Sequence, residues 1–146
     1  MNPSAKRLGL REVFVTVSPN DFHAVLRFGL PSPGSTRLTL LDSAELKELA
    51  AWLSSAGEIV EAAVATAEPV KPQYRWRPAY SQCLERRQAR DNVYVTAEGW
   101  PSWRVTLTIG APSNQPFGLA PNSTELRDLI EVFLSTAAQL DAEAEM

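Results

Sequence analysis

An internal repeat constrains the fold of this chain more than any other feature of its sequence. Residues 42–49 (DSAELKEL) match residues 122–129 (NSTELRDL) at a constant offset of 80. Each segment begins with a side-chain oxygen and has a glutamate three residues later, which is the capping-box pattern of a helix N-terminus. Because the pattern recurs, the sequence predicts two equivalent helices and a fold that contains one unit twice.

Both helices are predicted to be amphipathic. Their apolar residues recur at spacings of three and four, as a single buried helical face requires. Equivalent leucines such as Leu49 and Leu129 should therefore be deeply buried. The first stripe consists of Leu46, Leu49, Ala50, Leu53, Gly57 and Val60, and the second of Leu126, Leu129, Ile130, Phe133, Ala137 and Leu140.

The segments upstream of the two helices predict strands that also repeat. Residues 13–16 (VFVT) match residues 93–96 (VYVT) at offset 80, and their β-branched and aromatic side chains favour a strand. A third strand of each unit is predicted at residues 37–40 and around residues 117–119. The order of strands and helix is therefore the same in both halves of the sequence.

The second strand of each unit requires an offset of 81 rather than 80. This offset pairs Ala24 with Val105 and Leu26 with Leu107, so that apolar residues match apolar residues. Side chains alternate between the two faces of a strand, and a slip of one residue would exchange the faces. The sequence therefore predicts one extra residue in the preceding hairpin of the second unit.

These elements predict an α+β fold made by tandem duplication of a βββα unit. Its antiparallel strands would carry the helices on one face, with a pseudo-twofold axis between the units. The predicted boundaries are 1–67 for the first unit, 68–90 for a basic linker rich in proline and aromatic residues, and 91–146 for the second unit. A unit of three strands and one helix is marginal alone, so the two units are expected to share one core.

Composition argues against several classes of function. One cysteine, Cys83, and one histidine, His23, leave no disulfide framework and no conventional zinc site within the chain. No apolar run approaches the roughly 20 residues that cross a bilayer, and no signal peptide is visible, so a cytoplasmic protein without membrane contact is expected. Phosphate-binding loops and hydrolase motifs are absent from the sequence. We therefore expect no cofactor, no metal and no catalytic residue, which favours a non-catalytic protein.

The net charge of −3 conceals a strong segregation of charge along the chain. Residues 1–40 carry five basic and two acidic residues, and residues 69–90 carry six basic and one acidic residue. The helical segments 41–68 and 125–146 each carry one basic and six acidic residues. The strand-and-linker side is therefore predicted to be basic and the helix side acidic.

Aromatic residues accompany the basic charge, and together they define the candidate binding residues. In the linker, aromatic and basic residues alternate, and on the strands the alternation of faces places further members opposite the helices. The candidates in the linker are Lys71, Tyr74, Arg75, Trp76, Arg77, Tyr80, Arg86, Arg87 and Arg90, and those on the strands are Phe14, Arg27, Tyr94 and Arg104.

Three functions fit this surface. Mixtures of Arg, Trp and Tyr are typical of protein interfaces, so binding of a protein partner, or of a second copy of the chain, comes first. A basic surface with aromatic rings also suits single-stranded nucleic acid, because cations pair with phosphates and rings stack on bases. An enzyme with a site between the two halves is a weaker third alternative.

The succession of a β-meander and a long helix, twice, resembles the outline of the PC4/Whirly class of single-stranded DNA-binding proteins. That class places strands on the nucleic acid and helices behind them, and the Whirly members carry two such units in one chain. The resemblance implies nucleic-acid binding on the strand side. Members of the class have four strands in each unit, one more than is predicted here.

Overall fold

The structure, a computed structural model, describes residues 6–10, 13–20, 23–29, 36–85, 92–110 and 117–145, with side chains for 24–26, 39–74, 76–85, 92–110 and 120–145. Within these ranges, eleven elements follow one another. They are β1 (Lys6–Leu10), β2 (Val13–Asn20), β3 (His23–Gly29), β4 (Thr36–Leu41), α1 (Ser43–Ala65), a 3-10 turn (Pro72–Arg75), β5 (Tyr80–Leu84), β6 (Asn92–Gly99), β7 (Trp103–Gly110), β8 (Phe117–Leu119) and α2 (Ser123–Ala144).

The strands form two antiparallel sheets, and each sheet precedes a helix. The first sheet has the order β1-β2-β3-β4 and the second the order β5-β6-β7-β8. The α+β class is therefore confirmed. Within the described residues, neither helix combines the length and apolarity needed to cross a membrane.

The prediction of three strands per unit is wrong, because each sheet has four. The additional strands are β1 and β5, the first strand of each sheet. Both lie at a sheet edge and have mixed sequences, KRLGL and YSQCL, without the clear alternation that marks a half-buried strand. The strand β5 falls inside residues 68–90, the segment interpreted from the sequence as linker.

Burial on the second predicted strand of each unit follows the alternation expected from the sequence. Ala24 and Leu26 of β3 are buried, and so are Val105 and Leu107 of β7. In β6 the residues alternate strictly between buried and half-buried along the strand. One face of each sheet therefore lies on the core and the other faces outward.

The helix starts are also confirmed. Asp42 and Asn122 are the N-caps, and each forms a complete capping box with Glu45 or Glu125. Leu49 and Leu129 are both fully buried, as the stripes predict. Gly57, Val60 and Ile130 of the predicted stripes are only half-buried, whereas the stripes omit the buried residues Ala56, Ala63, Val132 and Thr136.

Each helix packs against the sheet of the other half of the chain. The helix α1 contacts β5, β6 and β7, whereas α2 contacts β1, β2 and β3, and the two helices pack against each other. Buried residues of both halves form one hydrophobic cluster. Since each sheet is covered by the helix that follows the other sheet, the two halves contribute to a common core.

Candidate interaction surface

The chain leaves α1 by a tight turn that directs the linker onto the β6–β7 hairpin. Ala67 has a positive φ of 53°, and the amide of Glu68 donates to the carbonyl of Ala63 at 2.8 Å. This is the geometry that commonly ends a helix and turns the chain away from its axis. The linker then runs beside the last residue of β6 and the first residue of β7.

Two hydrogen bonds fix the linker to this hairpin. The amide of Lys71 donates to the carbonyl of Gly99 at 3.0 Å. The indole Nε1 of Trp103 donates to the carbonyl of Glu68 at 3.0 Å. The linker is therefore attached to the second sheet through its backbone.

Aromatic packing completes the attachment. The rings of Tyr74 and Trp103 lie 5.5 Å apart at an interplanar angle of 56°, and Lys71 Nζ lies 5.9 Å from the centre of the Tyr74 ring. A Cβ at Gly99 would come within 2.7 Å of Tyr74 Cδ2 and 2.9 Å of Trp103. Position 99 therefore requires glycine, because the two rings occupy the space that any side chain would need.

Trp76 is presented on this anchored segment. Its side chain is 79% exposed, although Tyr74, two residues earlier, is half-buried against the hairpin. The amides of Trp76 and Arg77 both donate to the carbonyl of Gln73, at 3.1 and 3.0 Å. The backbone of Trp76 is thus held in a hydrogen-bonded turn, with the exposed side chain of Arg77 next to it.

The outward face of the second sheet is polar and electrically balanced over the described strands. Tyr94 and Arg104 lie on this face, as strand alternation predicts, and both are half-buried. Arg104 pairs with Glu98 at 3.1 Å, and the hydroxyls of Thr96 and Thr106 are in hydrogen-bond contact. The positive charge of Arg104 is therefore offset locally.

Cys83 belongs to the same outward face, opposite Tyr94 in the strand register. Partial burial, with a further contribution from the charge of Glu85, raises the pKa of its thiol, and a hydrogen bond from Tyr94 opposes the shift. A raised pKa leaves less thiolate at neutral pH, which disfavours a nucleophilic role. Among the described residues, no group of three or more His, Cys, Asp or Glu side chains could hold a metal ion.

The remaining predicted residues fall into three groups. Tyr80 is half-buried and packs against the core cluster. The register places Phe14 opposite Gly29 and Arg27 opposite Thr16, but the side chains of Phe14, Arg27 and Arg75 lie outside the described part of the structure. Arg86, Arg87 and Arg90 lie outside the described residues altogether.

The residues that hold the linker in place were not among the candidates predicted from the sequence. Glu68, Gly99 and Trp103 supply its contacts with the hairpin. The available signal was the segment 99–103 (GWPSW), where two tryptophans flank a proline close to a glycine. Such a density of aromatic residues in a hairpin indicates a contact with another aromatic segment.

Comparison with known proteins identifies the fold. No protein-family model and no curated protein matches the sequence. The structure is similar to a chain in the crystal structures of Trypanosoma bruciei MRP1/MRP2, with a TM-score of 0.55 and 13% sequence identity. The similarity covers 100% of this chain and 90% of that chain. The architecture of the whole chain therefore occurs in a known protein, and at this identity the similarity concerns the fold alone.

Proposed function

We propose that the chain is a non-catalytic binding protein that engages a protein partner through the linker surface, formed by Lys71, Tyr74, Trp76 and Arg77. The observation that carries the proposal is the 79% exposure of Trp76 on a segment attached to the second sheet. An exposed tryptophan leaves a large apolar area in water, and burying it against a partner recovers that free energy.

The attachment of the linker supports a binding role for Trp76. Tryptophan and arginine are enriched among the residues that contribute most to protein interfaces. Ordering a flexible segment on binding costs conformational entropy, and a segment that is already ordered avoids part of this cost. The contacts of Lys71, Tyr74 and Glu68 with the hairpin order the linker before any partner arrives.

The charge balance of the described outward face of the second sheet favours a protein over a nucleic acid as the partner. Binding of single strands depends on cations that neutralise phosphates, together with rings on which bases stack. On the described strands of the second sheet, Arg104 is paired with Glu98. Among its described side chains, the linker surface combines the strongly exposed ring of Trp76 with the exposed cation of Arg77, a combination that suits a compact protein contact.

The proposal extends to the origin of the fold. Each half consists of four antiparallel strands in chain order followed by a capped helix, and the helix sequences align at offset 80. These features support a tandem duplication with a pseudo-twofold axis, in units of ββββα. The number of strands per unit is then that of the PC4/Whirly class, which the chain resembles in outline.

The test is capture of partners by the immobilised full chain from an extract of the native host, with and without nuclease treatment. We expect nuclease-resistant capture that Trp76→Ala weakens about 30-fold, the usual minimum for a hot-spot residue. The matched control is Val64→Ala, which truncates another exposed apolar side chain on a different element.

A titration of the chain with labelled single-stranded nucleic acid at several salt concentrations tests the alternative of a nucleic-acid partner. Nucleic-acid binding would weaken log-linearly with salt, by a slope set by the number of neutralised phosphates. Measurable binding with such a slope, together with nuclease-sensitive capture, would overturn the proposal in favour of a nucleic-acid partner. Equal capture by the Trp76→Ala variant would also overturn it.

A further inference from the structure

We infer that the protein partner of the linker surface contributes an extended segment with acidic ends, which adds as a further strand to the open edge of β5 (Tyr80–Leu84). This inference rests on the proposed function and names the chemistry and the binding mode of its partner. It is carried by the unpaired backbone of β5, by the position of this strand directly after the linker surface, and by the basic sequence on both sides of it.

The outer edge of β5 has backbone groups without a partner strand. The backbone of residues 80–84 is hydrogen-bonded to β6 and to no other described segment. Because successive residues of a strand direct their amide and carbonyl groups to opposite edges, β5 presents about half of these groups at its open edge. An extended segment offers matching donors and acceptors in one row, whereas a helix bonds its backbone groups internally. The partner segment is therefore a strand.

Side chains on both faces of β5 are exposed beside this edge. Gln82 lies opposite the fully buried Val95, so the two residues share the core-facing side of the sheet. Gln82 is nevertheless exposed, and so is Ser81 on the other side. The strand (YSQCL) contains no charged residue and no proline, which are devices that commonly prevent further pairing at a sheet edge. The edge can therefore accept another strand.

The residues of β5 indicate which side chains the partner segment carries. On the core-facing side, the added strand would lie beside Leu84, which belongs to the core cluster, and Tyr80, which packs against it. Apolar residues at alternate positions of the segment would extend this cluster, because alternate side chains of a strand share one face. On the outward side the neighbours would be Ser81 and Cys83, which suit small polar residues.

The linker surface lies at the beginning of this edge. Trp76 precedes Tyr80 by four residues, so their Cα atoms are at most about 14 Å apart. A segment that pairs with β5 and continues past Tyr80 would therefore come within reach of the exposed side chains of Trp76 and Arg77. The backbone bonds to β5 and the side-chain contacts of the linker surface would thus form one continuous site.

The sequence around β5 determines the charge of the partner segment. Residues 68–90 carry six basic residues against two acidic ones, Glu68 and Glu85, and β5 itself is uncharged. The basic residues precede and follow the strand, so carboxylates at both ends of the partner segment would be attracted. A second β5 has the same basic flanks and would be repelled by them. The partner is therefore a different protein rather than a second copy of this chain.

Fluorescence anisotropy of a labelled peptide titrated with the full chain tests the inference. The peptide DEVTVTVDE combines alternating apolar residues with acidic ends, and KKVTVTVKK is its basic counterpart. We expect the acidic peptide to bind with a Kd below about 1 mM and the basic peptide not to bind. Arg77→Glu reverses a charge beside β5 and should weaken binding about 10-fold. Arg127→Glu makes the same change at an exposed position of α2 and should leave binding unchanged.

Backbone methylation of the acidic peptide distinguishes strand addition from binding through side chains alone. Successive amides of an extended peptide point to opposite edges, so one alternating set donates to β5 and the other does not. N-methylation of one set should therefore abolish binding, whereas N-methylation of the other set should preserve it. Equal behaviour of the two methylated peptides would overturn the inference, and so would absence of binding by the unmodified peptide.

Failure of this inference is distinguishable from failure of the proposed function. If the acidic peptide does not bind but Trp76→Ala still weakens capture of a protein, the partner uses the linker surface without adding a strand. If the peptide binds but Trp76→Ala captures as much protein as the unmodified chain, the proposed function fails and β5 binds strands independently of Trp76. Sedimentation velocity of the chain alone completes the test. Dimers that Gln82→Lys abolishes would show that a second copy occupies the edge, which would overturn the inference.

Discussion

Gly57 of α1 lies so close to Leu126 of α2 that a Cβ at position 57 would come within 2.8 Å of Leu126 Cδ2. Leu126 is buried, so this close approach belongs to the packed contact between the helices. We expect Gly57→Leu to lower the free energy of unfolding by about 1–3 kcal/mol, because the larger side chain overpacks the contact. Urea denaturation measures the change.

The size of the substituent should decide the effect at Gly57. The Cβ introduced by Gly57→Ala would meet only the terminal methyl of Leu126, which is a flexible side chain. Alanine also has a higher helix propensity than glycine, by up to about 1 kcal/mol. We therefore expect Gly57→Ala to be much less destabilising than Gly57→Leu. Ser54→Leu, at an exposed position of the same helix, controls for the added leucine. Equal stability of Gly57→Leu and this control would contradict the close packing.

Leu49 and Leu129 occupy equivalent places in the two helices, and both are fully buried. Truncation of either leucine to alanine should lower the free energy of unfolding by about 2–5 kcal/mol, because apolar burial is lost and a cavity remains. Leu134→Ala changes the same atoms on an exposed part of α2 and should cost at most about 0.5 kcal/mol. A small loss for either buried leucine in urea denaturation would show that its helix is not packed as described.

Local patterns were sufficient to predict the helices and the central strands. Capping boxes at Asp42 and Asn122 fix where the helices begin, and alternation along β6 and β7 fixes which face is buried. The strand β5 was not predicted because, among the described strands, it pairs with β6 on one side and its sequence does not alternate clearly. Edge strands depend on pairing with a neighbour more than on their own pattern.

Long-range contacts could not be predicted in the same way. The exchange of helices between the two sheets depends on packing of residues far apart in sequence, and an amphipathic stripe does not specify which sheet covers it. The position of the linker could not be predicted either, because its contacts with Trp103 and Gly99 join residues far apart in the sequence. The composition predicted an interaction segment there, whereas the distinction between the half-buried Tyr74 and the exposed Trp76 required the structure.

Thr39 of β4 is buried on the core face, and its hydroxyl has no hydrogen-bond partner among the described residues. A buried hydroxyl without a partner costs roughly 1–3 kcal/mol. Thr39→Val keeps the shape of the side chain and removes the hydroxyl, so we expect it to stabilise the protein by about 1 kcal/mol or more. Thr96→Val is the control. The Thr96 hydroxyl has hydrogen-bond partners on the outward face, so we expect this substitution not to raise the free energy of unfolding.

Ala67 lies two residues after the end of α1 at Ala65 and has a φ of 53°, a conformation in which a Cβ is unfavourable. Glycine adopts this conformation without that cost, and it is the residue that helices most often place there. Ala67→Gly should therefore raise the free energy of unfolding by up to about 1 kcal/mol, measured by urea denaturation. Ala62→Gly, at an exposed helical position of α1, should lower it by a similar amount. A loss of stability in both variants would contradict the left-handed conformation at Ala67.

Asp141 near the end of α2 is bound by two residues from the start of α1. Its carboxylate accepts hydrogen bonds from Lys47 Nζ at 2.7 Å and Ser43 Oγ at 2.6 Å, which hold the pKa of the carboxyl below its usual value. Because the native pKa is lower than the unfolded one of about 3.9, the contribution to stability is present above about pH 4 and is lost as pH falls through the native pKa. Asp141→Asn should therefore lower the melting temperature at neutral pH, and the difference should shrink in acid and in high salt. Glu131→Gln makes the same change of charge at an exposed position of α2 and is the control; an equal, pH-independent shift in both variants would contradict a specific role for Lys47 and Ser43.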